Sequence, residues 1–164
     1  MPEITVFGWF HTIMGIVAIL TGVYSLAKFK VIRSDNTSGK IFLLCTLIAA
    51  ASALGIYHQT GAFNIAHALA VLTLLALGTG WIAEKTNLFR QFSPYLQATA
   101  YSATFLFHMI PAITDGLRRL PADDPIVKTI ESPLLGGFYL AFLITYVVGL
   151  ILQLLWLRKQ SKTV

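Results

Sequence analysis

Charge is scarce in these 164 residues, with seven acidic and twelve basic side chains making up 12% of the chain. Soluble domains carry about a quarter charged residues, so a water-facing surface over most of this chain is excluded. Cysteine is scarcer still. Cys45 stands alone, which excludes an intrachain disulfide and any cage of cysteine ligands. The chain has no nucleotide-binding glycine loop, no Gly-x-Ser-x-Gly elbow and no His-Glu-x-x-His pair. Carboxylates are missing from the interior of every apolar run, since Glu3 and Glu84 fall at run ends. That argues against a carboxylate-rich di-iron centre and against an Asp/Glu proton relay through a membrane.

What is present is apolar side chain: 56% of residues are hydrophobic and the mean hydropathy is +0.73. A spanning helix needs roughly 20 mostly apolar residues. Five stretches qualify, at about residues 4–27, 41–60, 63–82, 94–113 and 133–157. The fourth is the most polar, with Gln97, Thr99, Tyr101, Ser102, Thr104 and His108. The expected fold is an all-α membrane protein, one bundle of five transmembrane helices covering residues 1–164. Nine basic residues (Lys28, Lys30, Arg33, Lys40, Lys85, Arg90, Arg158, Lys159 and Lys162) fall on one side, against Arg118, Arg119 and Lys128 on the other. By the positive-inside bias this puts the N-terminus outside and the C-terminus in the cytoplasm, in a bacterial inner membrane. The net charge of +5 then reflects topology, and no nucleic-acid partner is expected. The first run lacks a basic leader and is long enough to span, so no signal peptide is read.

The four histidines, His11, His58, His67 and His108, lie on four different segments, all toward the outer side in this topology. At about 1.5 Å rise per residue they share the outer third of the bilayer. Polar side chains at that depth turn to the bundle interior or to the interface. His11, Gly15, Ala18, Gly22 and Ser25 form one stripe on the first helix, small beyond the histidine, and fit either a close helix contact or a flat ligand. Gln97, Tyr101, Thr104 and His108 form a polar stripe on the fourth, with Pro111 just above as a bend. Tyr139, Tyr146, Gly149 and Gln153 form another on the fifth. His58, beside Gln59, also fits a ring seated among head groups.

Neutral imidazole ligates haem iron, zinc and copper. Two histidines from facing helices suit one haem b, with Arg118 and Arg119 placed to pair with its propionates or to serve as plain interfacial arginines. Three or four histidines would suit a divalent metal such as zinc or copper, with Asp115 as an added oxygen ligand or acceptor. A weak internal repeat is also visible. His11 precedes Gly22 by eleven residues and His67 precedes Gly78 by eleven, as expected of two parallel helix hairpins.

The run His11-Thr-Ile-Met-Gly15-Ile-Val-Ala-Ile-Leu-Thr-Gly22 resembles the first helix of an uncharacterised bacterial family of small multi-pass membrane proteins. Ser38-Gly39-Lys40-Ile-Phe with Ala53-Leu54-Gly55 resembles its second helix, and His108-Met109-Ile110 with Arg119-Leu120-Pro121 its outer corner. Such proteins resemble four-helix b-type cytochromes, which hold haem between histidines on separate helices. The resemblance covers residues 7–121 and implies a haem-binding, electron-transferring membrane protein. The chain departs from the di-haem pattern, because no histidine lies near the cytoplasmic side and only one haem layer fits. The alternative is a non-catalytic membrane subunit or assembly factor of a respiratory complex. Small-molecule transport lacks the intramembrane charges and broken helices it needs.

Overall fold

A computed structural model describes residues 4–56, 61–86 and 88–161. Five α-helices account for most of them: α1 (Val6–Phe29), α2 (Thr37–Ala53), α3 (Ile65–Lys85), α4 (Ser93–Arg119) and α5 (Pro133–Ser161). The described residues contain no strand. Successive helices run antiparallel, as side-chain bonds join the start of α1 to the end of α2 and the start of α5 to the end of α4. The end of the bundle where α1 starts is the upper end here; the end where α1 gives way to α2 is the lower.

Local chemistry sets the helix limits. The Thr5 hydroxyl accepts from Gly8 N–H, and the Asn36 and Asn64 side chains cap α2 and α3. Lys30 closes α1 in the left-handed region at φ 67°. Two tight turns, Gly55 N–H to Ser52 and Ile56 N–H to Ala53, end α2 early. The second helix therefore covers 37–53 rather than 41–60, and His58 lies past its end, outside the described residues. Pro111 does not end α4, which continues to Arg119, six residues beyond the expected limit. Val127 is buried, and its N–H bonds back to the Leu117 carbonyl, so the following loop folds onto this last turn.

α1, α3 and α5 are long and apolar enough to cross a membrane. The least apolar helix, α4, is the hub, touching α1, α3 and α5 and burying Gln97, Ala98, Ala100, Tyr101, Ser102 and Thr104. The most apolar, α5, packs on α4 and buries only Leu135 and Gln153. The two extremes of hydropathy are thus the helix buried most at the centre and the helix that faces outward most. The core joins Ala18, Ile32, Phe42, Cys45, Leu77 and Tyr101.

α1 pairs mainly with α2, and α3 with α4, as two consecutive hairpins would. The glycines of the sequence repeat do not correspond, however. A Cβ at Gly22 would come within 2.9 Å of the Phe42 and Phe105 rings, while one at Gly78 would meet nothing within 4 Å. Gly15 also faces open space. The close-approach part of the α1 stripe is therefore Ala18, Gly22 and Ser25, all buried, and leaves Gly15 out.

Candidate functional site

Two of the three described histidines converge. His11 reaches from α1 and His108 from α4, and both meet one face of α2, where Thr46, Ala49 and Ser52 recur every three residues. His11 Nδ1 lies 3.0 Å from the Ala49 carbonyl oxygen and 3.1 Å from Ser52 Oγ. A carbonyl only accepts, so Nδ1 carries the proton and donates it. Ser52 Oγ also donates to Ala49 O at 3.0 Å and holds the acceptor in place. The neutral ring then keeps its lone pair on Nε2. His108 Nε2 lies 3.0 Å from Thr46 Oγ1, and its ring meets Phe42 edge-on with centroids 6.2 Å apart.

His67 is placed otherwise. Its ring is buried at the start of α3 and stacked on Phe63 at 5.4 Å. Nδ1 accepts from Asn64 N–H at 3.2 Å while the Asn64 side chain caps the helix, so this histidine closes a capping box. With Nδ1 accepting, the neutral ring has its proton on Nε2 and no lone pair left there. Arg118 and Arg119 stand in the last turn of α4, where the helix dipole favours cations, and their Nε atoms are shielded from solvent. Asp115 is exposed one turn earlier. Among the described residues, no three His, Cys, Asp or Glu side chains come together as metal ligands.

The polar stripes below the histidines have a different task from the one expected of them. Residues 30–36, between α1 and α2, are drawn into the lower end of the bundle, with Val31 and Ile32 buried. Where a loop is drawn partly out of water, its backbone groups need partners. Each of the other three helices supplies one. Gln153 of α5 donates to the Lys30 carbonyl at 2.8 Å, and Gln97 of α4 donates to that of Ile32 at 3.0 Å. Glu84 of α3 accepts from Ser34 N–H at 2.7 Å and, through its other oxygen, from Tyr101 O–H at 3.0 Å. Ser102 donates to Gln153 Oε1 at 2.8 Å, so the amide is held at both ends. Gly39 is needed here, because a Cβ on it would overlap the Arg33 carbonyl oxygen. Gly80 likewise admits the Tyr101 ring.

The α4 stripe of Gln97, Tyr101, Thr104 and His108 and the α5 stripe ending in Gln153 therefore do not each act as one surface, because their lower members serve the loop. A clue was available: Gln97, Gln153 and Glu84 all lie at the depth of the Lys30–Asn36 stretch, at the opposite end from the histidines. On α5, Tyr139 bonds Thr114 Oγ1 at 2.6 Å and Tyr146 donates to the Thr99 carbonyl at 3.4 Å, so that stripe fastens α5 to α4. Among the described histidines, the upper pair His11 and His108 is the part of the expected constellation with a ring nitrogen to offer. No family model, curated protein or solved structure matches this chain.

Proposed function

We propose that this chain is a five-span protein of a bacterial inner membrane, N-terminus outside, that binds one haem b at its outer end through His11 and His108 and serves in electron transfer. The single observation carrying the haem reading is the His11 Nδ1–H to Ala49 carbonyl bond at 3.0 Å, which orients the ring and leaves Nε2 as a lone-pair donor. A backbone carbonyl behind a ligating imidazole is the usual way such a ring is fixed and made more basic.

The donor set suits haem better than a bare ion. A porphyrin brings four nitrogens of its own and asks one or two from the protein, whereas zinc or copper takes three or more protein ligands. His11 would ligate through Nε2 and His108 through the nitrogen not turned to Thr46, with Arg118 and Arg119 at the same end to meet anionic substituents. Bound haem supplies a one-electron couple. The protein's own part is to hold the imidazoles, keep them neutral within an apolar bundle, and present the site to an electron partner on the outer face. A bare divalent ion is the weaker form of the same reading, since among the described residues no third ligating side chain joins His11 and His108. His67, tied into its capping box, belongs to helix α3 rather than to the ligand set.

A second reading rests on a different observation. Both imidazoles already bond to α2, so they fasten α1 and α4 to it, which is all that a non-catalytic subunit or assembly factor of a respiratory complex would need.

Optical spectra of the detergent-purified protein, with haem and metal per chain, separate the two. A Soret band that sharpens on reduction, with occupancy lowered tenfold or more in His11→Ala and His108→Ala, is the expected result. Unchanged occupancy in both variants overturns ligation, and a colourless, metal-free wild type favours the second reading. For topology, Ser132→Cys and Ser161→Cys should be labelled from opposite faces of intact cells; labelling from one face rejects the five-span arrangement.

A further inference from the structure

At the lower end, α1 and α5 each pack on α4 and leave between them a groove of about 800 Å³. Its wall is apolar, formed by Val23, Leu26, Phe105, Phe142 and Leu150 among others. Val23 and Leu152 at its mouth are about half exposed or more. The volume is within the usual range for ligand sites, roughly 300–1,000 Å³. Its lower end differs in character, because Lys30, Gln153 and Trp156 line it.

Charge there is of one sign. Lys28 and Lys30 end α1, and Arg158 and Lys159 end α5. The nearby acids are engaged elsewhere: Asp35 pairs with Arg33 at 2.8 Å, and both oxygens of Glu84 are taken by Ser34 and Tyr101. Lys30 is held in place by its left-handed backbone and by Gln153 on its carbonyl. Its ammonium uses one donor on the Ala27 carbonyl at 3.1 Å and has two more to offer. An apolar channel that ends in an ammonium at membrane-surface depth matches a molecule with a long hydrocarbon chain and an anionic head.

We propose that this groove binds an anionic phospholipid of the inner leaflet, its acyl chain along α1 and α5 and its phosphate at Lys30. The proposal rests on the membrane-spanning reading above, though not on the haem site. Trp156 gives a local reporter, and Trp9 and Trp81, both exposed, can be replaced by Phe. Gly149 lines the groove, and a Cβ there meets nothing within 4 Å, so Gly149→Leu grows into the channel. Gly137, equally open but near the start of α5, provides the folding control as Gly137→Leu.

The experiment reconstitutes the Trp9→Phe/Trp81→Phe protein into vesicles of phosphatidylcholine with brominated-chain phosphatidylglycerol or brominated-chain phosphatidylcholine, and reads Trp156 quenching. Phosphatidylglycerol should be preferred about fivefold, as expected for one basic side chain at an anionic surface. Lys30→Gln should abolish that preference, and Gly149→Leu should reduce quenching by both lipids while Gly137→Leu does not. Equal quenching by the two lipids in the parent protein, or a preference that survives Lys30→Gln, overturns the proposal. Protein that stays in solution, unquenched by either lipid, rejects the membrane reading itself.

Discussion

The two ends of the bundle use polar side chains in opposite ways. At the lower end, Gln97, Gln153, Glu84 and Tyr101 are committed to the backbone of a partly buried loop or to one another. At the upper end, His11 and His108 each commit one ring nitrogen to α2 and keep a second. Polarity within an apolar bundle is therefore no sign of a ligand site until the bonding capacity of each group has been counted. Groups that answer backbone carbonyls and N–H groups hold the fold; a ring nitrogen left outside such bonds can hold something else.

The sharpest way to break the comparison is to damage the lower end and ask whether the upper end survives. Gly39→Ala sets a Cβ against the Arg33 backbone, which cannot swing aside as a side chain does, and should cost about 3 kcal/mol or more. Gly15→Leu at the upper end meets nothing within 4 Å and should change stability by no more than about 0.5 kcal/mol. Thermal unfolding in detergent measures both. A Gly15→Leu variant as unstable as Gly39→Ala would show that crowding at the two ends has been assigned the wrong way round.

Helix number and approximate helix position were open to sequence reasoning because spanning length and hydropathy are properties of the chain itself. Helix limits were less so. The caps at Asn36 and Asn64 depend on single side chains, and the turns at Gly55 and Ile56 depend on backbone bonds that hydropathy does not register. Of the expected site, the convergence of His11 with His108 was readable from shared depth. The capping role of His67 was not, because it requires knowing where α3 begins. The task of Gln97 and Gln153 was hidden for a stronger reason: their partners are carbonyls of Ile32 and Lys30, and every residue carries a carbonyl, so no residue type marks them.

Intermediate effects test whether the lower network acts as a unit. Tyr101→Phe removes the hydroxyl from Glu84 while keeping the ring that fills the space beside Gly80. It should cost about 1.5–3 kcal/mol, the range for a bond to a charged group. Gln153→Ala should cost about 1–2 kcal/mol by leaving the Lys30 carbonyl without its donor. The double variant with Ser102→Ala should add little beyond Gln153→Ala, because Ser102 acts on that same amide. Full additivity in chemical denaturation would mean that the two side chains work independently.

The smallest effect expected from losing a hydrogen bond belongs to the upper end. Thr46→Val keeps the shape of the side chain and deletes the hydroxyl facing His108, a loss of about 0.6 kcal/mol for an average interhelical bond of this kind. If His108 is a ligand, the same variant should lower haem or metal affinity measurably while barely moving the unfolding temperature. A large fall in stability with unchanged occupancy would make that bond a fastening and nothing more.

The bond from Gln153 to the Lys30 carbonyl spans 123 positions of the chain. A ribosome delivers the loop first and its amide partner last, so the Lys30 carbonyl waits through the synthesis of α2, α3 and α4 for its donor. A chain broken off before α5 would hold both hairpins and still carry an unmet acceptor at the lower end of the bundle. The fifth helix thus closes onto the loop that follows the first, and the two hairpins before it are fastened only when it arrives.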